Sequence, residues 1–493
     1  MAVKGAPMGT KKEDKPSEYK YLAGNIALFS ISNFVSKILV FLLVPFYTNV
    51  LSTGDYGIAD VMQTTLLLLV PALTINMGEA ALRFGIDRAD KRGEILRIGV
   101  KYVAMASLAV ALVSGLACIF AGHDLRWYLF LFIFLFMTNC LYEFLILFFQ
   151  GCEQVKIVVV GSVFSTIVLI TCNIVFLLFV KIGLNGYLLS QMLAFLSASV
   201  LMLILGHKMM PAVVTIRRDI NDEADRTFEK ELISYGVPMI AYSTGSWINN
   251  AADRYLVSLI KGVAVNGVYG VAYKIPAILT VFQRIFAQAW QMSATKSYTA
   301  ENSKEFFSVM YNAYNTFMVT GCAFLILTVR FVAAFMFKKD FYMAWQYVPP
   351  LLISVVFGAL TGFLGSICLA YKDSKAMGFA TGTGAVINIV LNLILIPGHS
   401  AMGAAVATGL SYFVMYFIAY KKVSGYVELE VKRVRDYVAY LLLVADAYLM
   451  IKGYSQYTVC SVIFVIIVVM YYSELRRITG KLVVSLLNKN RTV

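Results

Sequence analysis

The sequence predicts an all-α integral membrane protein of about 14 transmembrane helices, with two parallel six-helix repeats forming an N-lobe and a C-lobe, plus two additional C-terminal helices. Three observations carry this. First, 60% of the 493 residues are hydrophobic and 14% are charged, with a mean hydropathy of +0.75; soluble domains carry about 25% charged residues. Second, the apolar runs are about 20 residues long, enough to cross the hydrocarbon core as a helix. They are continuous rather than alternating, which argues against a β-barrel. Third, a pattern in the first half recurs in the second.

Residues 1–20 are polar and lysine-rich, read as a cytoplasmic tail with no cleavable signal peptide. Spans follow near 21–47, 56–78, 95–120, 125–150, 156–180 and 184–206, making the N-lobe of 21–206. A charged stretch at 207–231 reads as a cytoplasmic inter-lobe loop. Spans near 232–260, 265–292, 306–334, 344–370, 375–397 and 401–420 make the C-lobe of 232–422. The segment 423–473 holds spans thirteen and fourteen, near 437–452 and 455–473, and 474–493 is a second cytoplasmic tail. Prolines 71, 238, 276 and 349–350 mark expected kinks.

Charge supports the count. The net charge is +14. With the N-terminus inside, alternate segments on the cytoplasmic side hold 31 Lys and Arg, and the opposite side holds six. One missed span would scramble that division. Both termini are therefore expected to be cytoplasmic.

The repeat has a shift of 210–219 residues. Tyr56-Gly57-Ile58-Ala59-Asp60-Val61 matches Asn266-Gly267-Val268-Tyr269-Gly270-Val271. Lys156, Ser162 and Asn173 match Lys375, Thr381 and Asn392, and Gly186 matches Gly403. Six spans separate the copies, so span seven runs parallel to span one. Transporters built this way carry their substrate between the halves and rock one against the other.

Polar groups inside spans are costly and mark interiors or cavities. Span seven carries Ser243, Ser246, Asn250 and Arg254 on one face, with Asn249 and Asp253 beside them. Span one has Ser30, Asn33 and Lys37; span eight has Lys274, Arg284, Gln288 and Gln291. Asp60, Glu143 and Asp253 are the intramembrane acids of the repeated core. The plain alternative for Ser, Thr and Asn is helix packing; for charges it is an internal ion pair, such as Glu143 or Asp253 with a nearby cation. Five intramembrane cations against three acids suggest an anionic substrate. Lys37, Arg254, Lys274 and Arg284 are the candidate cationic cavity, with Asp60, Glu143, Asn250 and Asp253 as polar or coupling candidates.

Other chemistry finds no support. The seven cysteines and three histidines suggest neither disulfides nor a metal site, no phosphate-binding loop is present, and no cofactor is implied. The short outer loops leave no room for an extracytoplasmic catalytic domain.

The runs Asn25-Ile-Ala-Leu-Phe-Ser-Ile-Ser-Asn33, Pro45-Phe-Tyr-Thr-Asn-Val-Leu51 and Gly54-Asp55-Tyr56-Gly57 resemble those of Wzx-type polysaccharide flippases (O-antigen, capsule or exopolysaccharide) of the MOP, or multidrug/oligosaccharidyl-lipid/polysaccharide, exporter superfamily. The first span there ends in a Leu-Pro-like step, followed by a Leu-x-x-x-Asp/Glu-Tyr-Gly turn. The resemblance implies a transporter, not an enzyme, in the bacterial cytoplasmic (inner) membrane. It implies outward movement of an undecaprenyl-pyrophosphate-linked oligosaccharide by alternating access coupled to an ion gradient. Polysaccharide polymerase and glycosyltransferases are the partners it suggests, with membrane lipids around it and no nucleic acid. In related peptidoglycan-precursor flippases, basic residues of spans one, two and eight line the cavity. Lys37, Lys274 and Arg284 match; in span two this chain has Asp60 instead, and Arg254 is carried as a substitute. The rival readings are a peptidoglycan-precursor lipid flippase, a MATE-like cation-coupled exporter and, from another class, a membrane polysaccharide polymerase.

Overall fold

In lipid, every backbone N–H and C=O must find a partner within the protein, which leaves helices as the economical solution. The computed structural model describes residues 41–214, 222–297, 302–453 and 456–477, and no strand occurs among them. The N-lobe side contains α1 (Val44–Val50), α2 (Thr53–Leu73), α3 (Met77–Asp87), α4 (Arg92–Phe120), α5 (His123–Gly151), α6 (Val155–Asn173) and α7 (Gly183–Met209). There follow α8 (Asp222–Lys261), α9 (Val263–Ala272), α10 (Pro276–Ser297), α11 (Ser303–Met336), α12 (Val348–Ala370), α13 (Ser374–Val423), α14 (Arg433–Lys452) and α15 (Gln456–Met470). Among the described residues eight helices are long and apolar enough to cross a membrane, and a bent pair makes a ninth. The protein is a multi-pass membrane protein. Most of the first expected span lies outside the described residues.

Local sequence explains the boundaries. Ser52 and Asp55 form a capping box at the start of α2: Ser52 Oγ accepts from the Asp55 N–H at 3.0 Å, and Asp55 Oδ2 accepts from the Ser52 N–H at 3.4 Å. The Asp-Tyr-Gly turn is thus a helix start. Helix α13 holds two expected spans in one run, divided at Ser400 (φ 54°, ψ −143°) just after Pro397-Gly398. Of the expected kinks, Pro276 opens α10 after a break, and Pro349-Pro350 sit in the first turn of α12, where a missing N–H costs nothing. Pro238 lies inside α8.

The lipid-facing and inward surfaces are separable on α4. Leu108, Leu112, Leu116 and Phe120, spaced four apart, are exposed, whereas Ile95, Ile98, Tyr102, Ala106 and Val110 are buried. Such a stripe would be a liability in water and is ordinary against lipid tails. Helices α4–α7 pack among themselves, and α12 is the buried centre of a second group formed with α10, α11, α13 and α14. The two C-terminal helices dock on α11 through polar contacts at one end. There Arg435 Nη2 donates to Asn312 Oδ1 at 3.2 Å, the Tyr440 hydroxyl donates to Asn315 Oδ1 at 2.9 Å, and Asn315 Nδ2 donates to the Tyr471 hydroxyl at 3.2 Å.

Helix α2 meets α8 and α9 where the repeats touch. The matched glycines Gly57 and Gly267 face each other. A Cβ on Gly57 would lie 1.8 Å from the Val263 carbonyl oxygen, and one on Gly267 would lie 1.9 Å from that of Thr53. Both obstacles are backbone, so only glycine permits this crossing. The matched asparagines agree as well: Asn173 and Asn392 are both fully buried, each donating through Nδ2 and each with Oδ1 unpartnered.

Substituting Gly57→Ala or Gly267→Ala is expected to reduce thermal stability by about 1–3 kcal/mol through overpacking. Gly115→Ala, with nothing within 4 Å of the new Cβ, is expected to be neutral or stabilising. Melting of the purified protein in detergent measures both.

Candidate functional site

Span eight is broken, whereas its counterpart in the first repeat, α2, runs as continuous helix from Thr53 to Leu73. Beyond Leu73 the chain turns through Ile75 and Asn76, at φ 55° and 50°, before α3 begins at Met77. Span eight stops at Ala272 and resumes at Pro276 with a bend of 52°. Pro276 cannot donate, and the turn closes instead through the Lys274 N–H to Val271 O at 3.0 Å. A discontinuous span of this kind is where such transporters place substrate and ion sites.

Beside the broken span lies a buried charge cluster. Arg254 on α8 donates through Nη1 to Asp60 Oδ1 on α2 at 3.0 Å, with both side chains largely buried. Asp60 Oδ2 accepts from Asn266 Nδ2 on α9 at 3.2 Å. Gly270 makes the space: a Cβ there would sit 2.8 Å from the Asp60 carboxyl carbon. By the repeat, Gly270 is the counterpart of Asp60 itself, so the acid of one copy occupies the room left by its missing partner in the other. The Arg254 guanidinium also lies 4.3 Å from the Tyr273 ring centre, a cation–π geometry, and its Nε has no hydrogen-bond partner among the described residues.

Asp253, next in the chain, is buried on the other side of Tyr273. Its Oδ1 accepts from the Arg254 N–H at 2.9 Å. Its Oδ2 accepts from the hydroxyls of Tyr269 at 2.6 Å, Tyr273 at 2.5 Å and Thr408 at 3.2 Å. Thr408 in turn contacts Asn388 at 3.4 Å, and Asn388 Oδ1 accepts from Asn392 at 2.9 Å. Hydroxyl and backbone N–H donors thus gather around this carboxylate, which has no cationic side chain on it among the described residues.

The remaining candidates scatter. Lys274 is half-buried in the span-eight break, near the Tyr187 hydroxyl that Gln63 contacts at 2.9 Å. Arg284 is exposed on α10 and Glu143 is exposed on α5; neither has an ion pair among the described residues. Asn250 is exposed and accepts from the Tyr412 hydroxyl at 2.9 Å. Lys37, Ser30 and Asn33 lie outside the described residues, as does the side chain of Gln288. The ion pair expected for Asp253 or Glu143 is found at Asp60 instead, because the guanidinium of Arg254 turns across the interface while its own neighbour binds hydroxyls. Tyr269, Tyr273, Asn266 and Thr408 were not legible as site residues. Their only trace was the Asn266–Val271 repeat.

Towards the N-terminal end of α8 a second set of contacts crosses between the halves. Asn76 Nδ2 donates to Ser243 at 2.9 Å, and Lys101 Nζ meets Glu229 at 2.8 Å. Burial raises the Glu229 carboxyl, but hydrogen bonds from Lys101 and Tyr102 outweigh it and hold the group below its usual range.

An all-helical multi-pass chain with a broken span and buried charge between its halves has the architecture of a MOP-superfamily transporter. The comparisons agree. The family model "Polysaccharide biosynthesis protein" matches residues 22–291, more than half of the chain. The chain belongs to that family. It is 23% identical over 253 residues to an uncharacterised membrane protein of Methanocaldococcus jannaschii, covering 50% of this chain and 59% of that one. It is 22% identical over 209 residues to a probable low-salt glycan biosynthesis flippase, Agl15, of Haloferax volcanii, covering 41% and 43%. The chain thus spans about half the length of these relatives. Its fold is that of the lipid II flippase MurJ in an inward closed conformation, with a TM-score of 0.64 at 15% identity, over 92% of this chain and 99% of that one.

Truncating Arg254→Ala strands Asp60 in the membrane interior, and a loss of about 3–5 kcal/mol is expected. The pair Asp60→Asn with Arg254→Gln is expected to recover most of it. Unfolding of the single and double variants in detergent gives the coupling; additive losses would contradict the pairing.

Proposed function

We propose that this protein is a flippase that carries an undecaprenyl-pyrophosphate-linked oligosaccharide outward across the cytoplasmic membrane by alternating access. The observation that supports the reading is buried charge where the repeats meet, Arg254 paired with Asp60 and Lys274 in the bend of span eight, within a chain of the polysaccharide biosynthesis family. A diphosphate crossing a bilayer must exchange water for other charge partners. Lys and Arg supply those, Arg as a planar fork. Lys274 sits in the bend before Pro276 and Arg284 lies eight residues on from Pro276, about 12 Å along α10, so in this reading a headgroup meets successive cations.

Each element of the division into 21–206 and 232–422 serves this reading, with α14 and α15 as an appendix. Asp253 is the coupling residue. Its carboxylate, held by three hydroxyls and with no cationic side chain on it among the described residues, takes a proton or alkali cation in one half of the cycle and releases it in the other.

The decisive experiment is depletion of the protein in its host. Glycan-bearing carrier lipid is expected to accumulate on the cytoplasmic face with glycosyltransferase activity unchanged. Absence of any lipid-linked glycan would favour an enzyme, and normal export would reject the flippase reading. Lys274→Ala with Arg284→Ala is expected to lower transport at least tenfold while the protein still inserts.

The proposed orientation, with both termini cytoplasmic, has its own test. In a cysteine-free background, Asn185→Cys is expected to react with an impermeant thiol reagent outside intact cells, and Lys208→Cys to react only after permeabilisation. The opposite pattern would invert the orientation.

A further inference from the structure

Arg254 is the substrate-facing cation that sits between the halves, yet here a carboxylate of the protein already occupies it. That carboxylate is well fitted. Asp60 reaches from α2 to place Oδ1 at 3.0 Å from Arg254 Nη1, has its second oxygen held by Asn266, and lies in the hollow above Gly270. Both residues are seven positions from the same end of their helices, Asp60 from Thr53 and Arg254 from Lys261. At 1.5 Å per residue both lie about 10 Å in from that end, which the topology above places outside. Asp60–Arg254 is the one buried ion pair between α2 and α8 among the described residues; Lys101–Glu229 and Arg88–Glu231, which also cross between the halves, are solvent-accessible.

We propose that Asp60 is a resident counter-anion that holds the place of the substrate's diphosphate on Arg254, so that substrate binding and opening of the outer side are a single exchange reaction. This rests on the flippase reading and assigns Asp60 a role that reading leaves open. With no substrate, the guanidinium keeps Asp60 and thereby ties α2 to α8, closing the Gly57–Gly267 crossing. A diphosphate arriving between the halves competes for the same donors. It can also engage the Arg254 Nε, which has no partner among the described residues in this arrangement. A dianionic fork-fork contact is stronger than the single Nη1–Oδ1 bond. Once Arg254 turns to the diphosphate, Asp60 retains only the Asn266 amide, and its burial without a cation becomes unfavourable. Separation of the halves hydrates it. The ligand therefore opens the gate through its differential affinity for the two arrangements, as any such coupling requires.

The exchange makes an uncommon demand: removing Asp60's charge should strengthen substrate binding while impairing transport. A purely structural ion pair predicts loss of both. The test uses the full-length chain in nanodiscs, with farnesyl diphosphate, farnesyl monophosphate and inorganic pyrophosphate as probes. Ala59→Cys in a cysteine-free background reports the gate through an impermeant thiol reagent. In the otherwise unaltered protein, farnesyl diphosphate should accelerate labelling of the introduced thiol and the monophosphate should do so less. If inorganic pyrophosphate acts as well as the lipid, the headgroup alone drives the exchange; if it does not, the lipid chain is needed to deliver the headgroup. In Asp60→Asn, labelling should be fast without probe, binding of the diphosphate about tenfold tighter because the competing closed state is depopulated, and turnover reduced. Gly270→Ala provides a second route should Asp60→Asn fail to fold, since its Cβ displaces the carboxylate without removing the charge; the same tighter binding and faster labelling are expected. The variant Asp60→Asn with Arg254→Gln should bind no diphosphate. Unchanged or weaker binding in both Asp60→Asn and Gly270→Ala overturns the exchange, even where depletion still shows the protein to be a flippase. Normal glycan export on depletion removes the flippase reading, whatever the labelling shows.

Discussion

The arrangement depends on one constraint: two parallel copies of a helical repeat must meet closely enough, inside a membrane, to exclude lipid and water from between them. Lipid supplies no hydrophobic drive for helix association, so contact has to come from close backbone approach and polar pairing. The glycine crossing of Gly57 and Gly267 provides the first and Asp60–Arg254 the second. Each needs the other. Glycine brings α2 near enough for a short carboxylate to reach α8, and the ion pair offsets the absence of side-chain packing where glycine leaves none.

The duplication explains how an asymmetric charge pair arose at a near-symmetric crossing. Gly57 faces its own counterpart, so the pseudo-twofold passes beside it. Three residues on, the symmetry is broken, with Asp60 in one copy and Gly270 in the other. Two carboxylates at these positions would face each other unscreened in a low-dielectric setting, and two glycines would leave Arg254 without a partner. One of each gives a charge and the hollow that receives it. The same local asymmetry gives α9 Tyr269 and Tyr273, whose hydroxyls serve Asp253 on the far side of the ring that supports Arg254.

Much of the fold was legible because lipid makes the sequence signal simple. Long apolar runs, basic residues on one side and turn residues between them specify helices and their direction, and the spans near 95–120, 125–150 and 184–206 coincide with α4, α5 and α7 within a few residues. The turn after Leu73 was less legible, since Pro71 lies inside the helix and the chain leaves it at Thr74–Asn76, stabilised by the Asn76 N–H reaching back to Pro71 O at 2.8 Å. The site was only half legible. Charge at depth singled out Arg254, Asp253 and Asp60, but the pairing of Asp60 with Arg254 joins residues 194 apart, and no periodicity reports which acid faces which base. Thirty tyrosines in the chain made Tyr269 and Tyr273 inconspicuous. Their role comes from lying one turn apart just before Pro276.

Consecutive residues Asp253 and Arg254 divide two tasks by pointing apart. Asp253 looks into its own half, where Thr408 and the Asn388–Asn392 pair surround it; Arg254 looks across to the other half. With Asp253 and Arg254 ionised, the C-terminal half is locally neutral. Bringing Asp60 against them adds an anion, so the closed arrangement is one positive charge short. A small cation or proton on Asp253 cancels that excess. By linkage, closure of the gate and occupancy of Asp253 must favour each other by equal factors. In the proposed cycle, a substrate diphosphate deepens the deficit by bringing more negative charge, which favours the open arrangement in which Asp60 is hydrated. Two opposite ligand charges acting on adjacent residues can therefore drive the two directions of one conformational cycle without a nucleotide.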